Sequence, residues 1–374
     1  MKVLGQQIQD SGLRYRRAIA HLSTDALLSN LSVIQSMARG AQIIAMVKAN
    51  AYGHGIRSVS QRLSQHVFAL GVASIDEAIA LRAHGIHTKI ILMEGVICPE
   101  DLRLVSALAL DLVIHEASHL KWLAAHQLPL NDVWVKVDIG MGRLGFFPSE
   151  LSSVLAHCRQ LPQIKGKLRL MGHLSHADSP KHDHNSHQRA VFDQLVQQFD
   201  MPSSLCNSAA ISAFPESHYD FVRPGISLYG AAPSDASWSE SSTALKPVMT
   251  VKSRLISIKN YQPGQGIGYG HDFVCPTAMR VGTISFGYGD GYPRSVRGGA
   301  PVLVNETLCP LVGRISMDMM TIDLTHCPSA TVGLEVVLWG DGLPITSVER
   351  FSGISRYELF TNVQNRVKFI WDGV

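Results

Sequence analysis

Short apolar runs alternate with longer, partly polar segments between about residue 40 and residue 230. The apolar runs have the length of buried strands, and the segments between them carry apolar residues at helical spacing. Near-continuous apolar strands that alternate with helices predict a parallel sheet. The candidate strands are 43–49, 67–73, 89–94, 111–115, 133–139, 167–173, 204–207 and 220–223. About eight βα units in roughly 190 residues predict a closed (β/α)8 barrel of the TIM type, with a doubly wound open sheet as the alternative.

One helical segment, SIDEAIALRAHG, carries a start signal. Ser74 and Glu77 have the spacing of a capping box, in which each of the two side chains accepts a hydrogen bond from a backbone N–H at the helix start. We therefore expect a helix to begin beside Ser74.

The pattern changes after about residue 240. Runs such as VMTVKSRLISI, MRVGTISFGYGDGY and EVVLWG are separated by glycine and proline turns, with little helical periodicity. This pattern predicts a second, mostly antiparallel β domain. We expect a barrel domain over 16–240 and a β domain over 241–374, with the polar stretch 233–242 as the linker and residues 1–15 as an N-terminal extension.

Composition and charge argue against several functional classes. The chain has 374 residues, 46% of them hydrophobic, and a formal net charge of +3. Its charges are interspersed without a basic stripe, so neither nucleic acid nor a membrane is an expected partner. No apolar run is long enough to span a bilayer, and the N-terminus lacks the apolar segment of a secretory signal. We therefore expect a cytoplasmic protein.

The cysteines give no sign of a metal or redox centre. All 6 occur singly, and none forms a C-x-x-C pair. Zinc fingers and thioredoxin-type chemistry are therefore not expected. We expect every one of these thiols to be buried and reduced.

Polar residues stand at the ends of the predicted barrel strands, where barrel enzymes keep their chemistry. Lys48 ends the first strand, in the sequence IIAMVKANAYGHG. Later strand ends carry Arg143, His173, Asn207, Ser208 and Arg223. A lysine amine that loses its proton forms a Schiff base with an aldehyde, whereas a snorkelling lysine only caps a strand. The surrounding polar strand ends favour the reactive lysine.

Two neighbouring segments favour phosphate binding. Backbone N–H groups at turns and small hydroxyl donors recognise phosphate. CNSAA and RPGISLYG supply Ser208, Gly225 and Ile226 beside the ends of the last two strands, where barrels often bind phosphate. A phosphate site, a lysine and several aromatics together suggest pyridoxal 5′-phosphate, PLP.

Two further motifs have competing explanations. GMGRLG, residues 140–145, matches the dinucleotide fingerprint, but no acidic residue occurs between Glu150 and Asp178, where a ribose-binding acid is expected. The stretch GHLSHADSPKHDHNSHQ could bind a metal, as in a metal-dependent barrel hydrolase that uses His173 and His176. Its last histidines stand in a polar segment entering a helix, so solvated histidines are the favoured interpretation and no metal is expected.

Several motifs together resemble alanine racemase, in the order and at the spacing of that family. They are VKANAYGHG, DIGMGRLGF, HLSHAD, NSAA, VRPGISLYG, GIGYG, FGYGDGYPR and VGRISMDM. The resemblance covers most of the chain and implies a PLP-binding (β/α)8 barrel, a β domain and a homodimer with shared active sites. It further implies an enzyme that interconverts L-alanine and D-alanine and supplies D-alanine for bacterial peptidoglycan.

The resemblance assigns the two catalytic bases. Lys48 would hold PLP and act on one face of the substrate Cα, and Tyr269, supplied by the partner subunit, would act on the opposite face. Inversion requires such a pair, because one base removes the α-proton and the other returns a proton from behind. A phenol has a reference pKa of ~10, so a tyrosine base needs positive or hydrogen-bonding neighbours near neutral pH. His173 and Arg223 match the residues that serve this purpose in the family.

Other matches concern the cofactor, the substrate and its route. Arg223 would face the pyridine nitrogen, and Arg143 would bind the hydroxyl side of PLP and the substrate carboxylate. The backbone of Met317, from the partner subunit, would hold that carboxylate as well. Lys136 matches a lysine that is often carbamylated in the family. The phosphate contacts would be Tyr52, Ser208, Gly225 and Ile226, and the entrance corridor would comprise Tyr288, Arg294, Arg314 and Asp318.

Alternatives remain open at this stage. Asn365 stands where some family members carry a tyrosine that contacts the phosphate and narrows the substrate site, so phosphate affinity and substrate size are left open. The main rival is a broad-specificity or serine racemase on the same fold. A fold-related amino-acid decarboxylase and a non-catalytic PLP carrier are weaker, since a carrier would not need Tyr269. Tyr52 and Tyr288 could instead be packing aromatics, and Ser208 an ordinary helix cap.

Overall fold

The computed structural model describes residues 18–233, 245–296 and 298–372. The chain divides into two compact units, one formed by residues 27–245 and the other by the residues up to 26 together with those from 246 onward. The predicted N-terminal extension and, after Pro233, the predicted linker lie outside the described residues.

The unit formed by residues 27–245 is a closed parallel barrel. Its strands are β2 (Gln42–Met46), β3 (Ala69–Val72), β4 (Lys89–Leu92), β5 (Asp111–Ile114), β6 (Val133–Lys136), β7 (Leu168–Met171), β8 (Ser203–Asn207) and β9 (Phe221–Arg223), while β1 (Ile19–Leu22) precedes the barrel in the chain. The ring closes because β9 pairs with β2, Phe221 lying opposite Gln42. The predicted barrel is therefore confirmed, and the open-sheet alternative is excluded.

Helices alternate with the barrel strands, the first of them preceding β2 and the others following barrel strands. They are α1 (Thr24–Met37), α2 (Lys48–Tyr52), α3 (Ile56–Leu63), α4 (Ile75–Ala83), α5 (Asp101–Ala107), α6 (Ala117–Ala125), α7 (Leu151–Arg159), α8 (Asp183–Phe199) and α9 (Ser208–Ala213). Short 3-10 turns cover 148–150, 215–217 and 226–229. Apolar side chains fill the barrel interior, among them Ile91, Val113 and Trp134.

Paired charges occupy the barrel end at which the strands begin. Lys89 Nζ lies 3.0 Å from Asp111 and 3.2 Å from Asp132, and Arg169 donates to Asp132 at 2.8 Å. The Arg169 guanidinium also lies 4.8 Å from the centre of the Phe221 ring. Burial raises the pKa of Asp111, although Lys89 and hydrogen bonds oppose this shift. In barrels this end serves stability, so the opposite end, where the strands finish, is the place to look for a site.

The second unit is built on one mixed but mostly antiparallel sheet. Its order is β13-β16-β15-β14-β17-β10-β1-β18, and β10 also pairs with β13. The strands are β10 (Met249–Tyr261), β13 (Met279–Ile284), β14 (Pro301–Val304), β15 (Thr307–Val312), β16 (Met320–Asp323), β17 (Glu335–Trp339) and β18 (Lys368–Trp371). A small hairpin of β11 (Gly266–Ile267) and β12 (Phe273–Val274) and the helices α10 (Ile345–Ser352) and α11 (Arg356–Thr361) complete it. The predicted antiparallel β domain is confirmed, with β1 to β18 as a parallel pair.

The structure tests two expectations from the sequence, the burial of the cysteines and the absence of a membrane-spanning helix. The thiols are all unpaired, and Cys158, Cys206, Cys275, Cys309 and Cys327 are buried, but Cys98 is partly exposed, so the expectation that every cysteine is buried is wrong for Cys98. Among the described residues, no helix combines the length and the apolar character needed to cross a membrane.

Candidate active site

Lys48 opens a left-handed turn at the mouth of the barrel. Strand β2 ends at Met46, before the predicted end at 49, because the chain reverses its hand directly after Lys48. Ala49, Asn50, Ala51 and Tyr52 all have positive φ angles, between 51° and 54°. Each such residue costs about 1–2 kcal/mol relative to the right-handed conformation. Strain of this kind next to a candidate reactive lysine is typical of a functional site.

Two side chains hold this turn in place. Glu77 accepts hydrogen bonds from the N–H of Ala49 at 2.7 Å and of Ala73 at 2.8 Å. Asn50 accepts one from the N–H of Ile56 at 2.8 Å. The helix start predicted beside Ser74 is confirmed, but the Ser74 side chain makes no capping hydrogen bond and Glu77 accepts from the preceding Ala73 N–H, so the capping box itself does not form.

A cradle of small groups lies beside the turn. Ser208 Oγ accepts a hydrogen bond from Gly225 N at 2.8 Å, and a Cβ at Gly225 would overlap the hydroxyl of Tyr52. Ile226 begins a 3-10 turn, whose first N–H groups have no acceptor within the turn. The ring of Tyr52 stacks on Tyr229 with centroids 5.0 Å apart. The cradle therefore offers a hydroxyl and turn N–H groups to an anion.

The helix-cap explanation for Ser208 does not hold. Asn207 is the residue that caps α9, since its side chain accepts the N–H of Ala210 at 3.0 Å. Ser208 is buried and directed at the turn after β9 instead.

Arg223 is a buried cation at the end of β9. It donates to Ser204 Oγ at 2.5 Å, to the carbonyl of Gly172 at 2.7 Å and to the carbonyl of Leu205 at 3.1 Å. Burial lowers the pKa of Arg223 from its ordinary value to about 10. The guanidinium therefore remains protonated at neutral pH.

His173 is held neutral by its surroundings. Its Nδ1 lies 3.3 Å from Arg223 Nη2, and because a guanidinium only donates, this nitrogen must accept. Burial, followed by the nearby charges of Arg223, Lys136, Arg143 and Lys48, lowers the pKa of His173 well below its ordinary value. A neutral imidazole with Nδ1 as acceptor carries its proton on Nε2, which is left as a donor.

Lys136 shares this cationic environment. It is the last residue of β6 and only 8% exposed. Burial, then Arg223, Arg143 and Lys48, lowers the pKa of Lys136 to about 8, against an opposing effect of Glu94. The ends of β2, β6, β7 and β9 thus bring the predicted residues Lys48, Lys136, His173 and Arg223 into one electrostatic cluster.

A glycine-rich loop carries Arg143 after β6. Asp138 accepts hydrogen bonds from the N–H groups of Gly140 and Met141 at 2.9 Å and of Gly142 at 3.0 Å. Burial alone would raise the pKa of Asp138, but these N–H groups bring it below its ordinary value. A Cβ at Gly145 would lie 2.5 Å from Asp138 N, so glycine is needed where the loop crosses itself. The loop supports the exposed Arg143 and does not open a helix, unlike a dinucleotide fingerprint.

The histidine-rich stretch packs as stacked rings. His176 and His182 lie parallel with centroids 4.0 Å apart, and His184 Nε2 lies 3.0 Å from the carbonyl of Gly140. Within the part of the chain that the structure describes, no group of three His, Cys, Asp or Glu side chains has the arrangement of a metal site.

The second unit holds the remaining predicted site residues near its surface. Tyr269 is 69% exposed, in the turn between β11 and β12. Arg314 forms a two-point ion pair with Asp272 in the same turn. Since Gly270 lies against the Arg314 guanidinium, this pair braces the turn that presents Tyr269.

Tyr288, Met317 and Asp318 form a second exposed group in this unit. Gly289 N, directly after Tyr288, donates to the carbonyl of Met317 at 2.8 Å, and Arg366 donates to Asp318 at 2.6 Å. Met317 is 53% exposed and Tyr288 37% exposed, so neither is a packed core residue. Arg294 and Asn365 are exposed as well.

A closed barrel with polar and cationic groups gathered at its strand ends has the architecture of a (β/α)8-barrel enzyme. Residues 22–233 match the N-terminal domain of alanine racemase, and residues 248–371 match its C-terminal domain. This chain therefore belongs to the alanine racemase family, whose members are amino-acid racemases.

Individual relatives agree with this assignment. The alanine racemase of Haemophilus influenzae is 40% identical over 356 residues, covering 95% of this chain and 98% of that protein. The biosynthetic alanine racemase from Pseudomonas aeruginosa has a crystal structure with a TM-score of 0.90 at 38% identity, covering 96% of this chain and 99% of the other. The crystal structure of alanine racemase from Bartonella henselae with covalently bound pyridoxal phosphate has a TM-score of 0.85 at 27% identity, covering 95% and 99%.

Sequence reasoning missed several supporting residues. Asp138 had a usable signal, since an acidic residue before a glycine-rich run often folds the run around its carboxylate. Ser204 and Asp272 had none, and the capping-box spacing of Glu77 gave no sign of its bond to Ala49, because each of these contacts spans a distance in the chain that only the fold closes.

The cradle yields a direct test. Gly225→Ala should displace Tyr52 from its stack on Tyr229, because the new Cβ and the Tyr52 hydroxyl cannot occupy the same space. A crystal structure of the variant measures the displacement, and thermal unfolding should show destabilisation of about 1–3 kcal/mol. Gly298→Ala is the matched control, since a Cβ there meets nothing closer than 3.6 Å. An unmoved Tyr52 ring would contradict the described geometry.

Proposed function

We propose that this chain is a PLP-dependent alanine racemase that interconverts L-alanine and D-alanine. The observation that carries the proposal is the cluster of Lys48, Lys136, His173 and Arg223 at one barrel mouth, where burial and the neighbouring cations lower the pKa values of Lys136 and His173. The family membership and the PLP-bound Bartonella henselae relative support it. D-Alanine for bacterial peptidoglycan is the physiological product we infer from the resemblance.

The residues at the mouth fit PLP. Lys48 would hold the cofactor covalently, and Tyr52, Ser208, Gly225 and Ile226 would bind its phosphate in the cradle that Gly225 keeps free of a side chain. Bound PLP would withdraw electrons from the substrate Cα and so make its proton removable.

Two bases on opposite faces would carry out the inversion. Lys48 would take or return the proton on one face, and Tyr269 would do so on the other. The neutral His173 supports this assignment, because its Nε2–H can donate a hydrogen bond to a phenolate oxygen. Arg223 would act through His173, because the hydrogen bond from Arg223 to His173 Nδ1 fixes the tautomer in which Nε2 carries the proton.

Tyr269 would act on the barrel of a partner subunit. Tyr269 is 69% exposed, and the ion pair between Arg314 and Asp272 holds its turn in place. Its ring is therefore available to another subunit and is not part of the core. The same unit also carries the other residues that we propose act on the partner's site, namely Met317, Tyr288, Arg294, Arg314 and Asp318. We therefore propose a homodimer with shared active sites, in which the Met317 backbone binds the substrate carboxylate and the other residues form the entrance corridor.

Arg223 would also tune the cofactor. It only donates hydrogen bonds, and its pKa of about 10 keeps it charged, so it would leave the pyridine nitrogen it faces unprotonated. An unprotonated ring withdraws electrons less strongly than a protonated one. Arg223 would thereby limit transamination and other side reactions while still permitting proton exchange.

Arg143 and Lys136 would work as a pair. Arg143 would bind the hydroxyl side of PLP and the substrate carboxylate from its braced loop. Lysine reacts with carbon dioxide only as the neutral amine, and with a pKa of about 8 roughly a tenth of Lys136 is neutral at pH 7. Lys136 therefore meets the chemical condition for the carbamylation that the resemblance implies, which would orient Arg143.

The first experiment is chiral analysis of purified, PLP-supplemented protein incubated with L-alanine, with Lys48→Ala as the control. D-Alanine should form only when the lysine is present. L-Serine in parallel tests the rival broad-specificity or serine racemase, which Asn365 keeps open. Release of carbon dioxide would indicate a decarboxylase instead, and no product despite bound PLP would reject the proposed reaction.

The role of Arg223 predicts a change in product partitioning. Arg223→Glu should raise the ratio of transaminated product to racemised alanine, because a carboxylate partner favours the protonated ring. The ratio is measured in one reaction, so partly inactive protein does not affect it. An unchanged ratio would rule out this role for Arg223.

Sharing across subunits predicts complementation. Lys48→Ala and Tyr269→Phe homodimers should each be nearly inactive, whereas mixed dimers contain one intact pair of bases. Co-expression with two affinity tags isolates the mixed dimer, which should regain up to about half of wild-type activity per dimer. Absence of activity in proven mixed dimers would contradict the shared site.

A further inference from the structure

Glu77 joins two neighbouring βα connections with one carboxylate. One oxygen accepts the N–H of Ala49, which follows Lys48 after β2, and the other accepts the N–H of Ala73, which follows β3. The second bond satisfies the N–H of Ala73, the residue before the N-cap Ser74, and so stays local to the start of α4. The first bond has no part in that helix and reaches a different loop.

The Ala49 N–H belongs to the peptide that joins Lys48 to the left-handed turn. Ala49 through Tyr52 hold positive φ without a glycine among them, so the turn needs external support. Asn50 supports the far end of the turn through the N–H of Ile56, and Glu77 supports the end next to Lys48. With the chain held on both sides, Ala49 reaches a negative φ by rotation of the Lys48–Ala49 peptide plane, and that rotation turns the Ala49 N–H away from the carboxylate.

We infer that Glu77 is a positioning residue for Lys48, acting by stabilising the left-handed conformation of the turn at Ala49. The link to catalysis rests on the proposed function, in which Lys48 is the catalytic lysine. The effect of Glu77 on the turn does not rest on the proposed function, because it is a property of the protein without cofactor.

The chemistry of the contact requires a carboxylate. Glu77 offers two acceptor oxygens to two N–H donors, and both bonds are short. Glutamine keeps one acceptor and replaces the other with an NH2 group, which would face an N–H donor. Glu77→Gln therefore loses one hydrogen bond and places the NH2 group of glutamine against a backbone N–H, with little change in side-chain volume.

The decisive experiment is a double-mutant cycle of Glu77→Gln and Ala49→Gly. Glycine adopts positive φ at no steric cost, so it should replace the stabilisation that Glu77 provides. In cofactor-free protein, hydrogen–deuterium exchange of the segment 47–56 should become on the order of tenfold faster in Glu77→Gln. The double variant should recover most of the protection.

Activity of the PLP-loaded proteins is the second measurement. Glu77→Gln should lower kcat on the order of tenfold with a smaller change in KM, and Ala49→Gly should restore kcat in the double variant. Glu150→Gln is the matched control, since Glu150 makes a comparable bond to Phe147 N at 2.7 Å beside another helix start. It should change neither kcat nor exchange in 47–56.

The outcomes separate this inference from the proposed function. Unchanged exchange in Glu77→Ala, which removes both acceptor oxygens, or additive effects without rescue by glycine, would overturn the positioning role even in an active racemase. A wild-type protein without racemase activity would refute the proposed function while leaving the exchange result to decide the role of Glu77 in the turn.

Discussion

The barrel mouth depends on one buried cation. Arg223 ties the end of β9 to β8 and to the chain after β7, through Ser204, Leu205 and Gly172. These acceptors are carbonyl and hydroxyl oxygens, which satisfy the guanidinium without cancelling its charge. The uncancelled charge acts on its neighbours and helps to lower the pKa values of His173 and Lys136. The pKa values of His173 and Lys136 are therefore lowered first by their own burial and then by Arg223, the first of the neighbouring cations in its effect.

The barrel could be predicted from the sequence because its signal is local. Most barrel strands are apolar on both faces, so each appears as a short continuous run, and the predicted runs start within two residues of the observed strands. The exception is β8, with the sequence SSLCN. The same regularity places Lys48, His173 and Arg223 at one end, since parallel strands finish on the same side. The mostly antiparallel unit was predictable from its glycine and proline turns, whereas the pairing of β1 with β10 and β18 was not. That pairing joins segments far apart in the chain.

The supporting contacts could not be predicted, for physical reasons that differ from residue to residue. The left-handed turn after Lys48 contains alanine, asparagine and tyrosine at positive φ, and only the asparagine commonly adopts that conformation. Glu77 looks in the sequence like a member of a capping box, and its bond to Ala49 exists only because β2 and β3 are neighbours. The Arg314–Asp272 pair likewise depends on a hairpin meeting a distant loop.

The ion pairs among Lys89, Asp111, Asp132 and Arg169 have a consequence for traffic through the barrel. Together with the ring of Phe221 and the packed interior, they plug the end at which the strands begin. No small molecule passes through the packed interior of the described barrel, so binding at the strand ends takes place from the side at which the strands finish, and a group bound beneath another there must bind first and leave last.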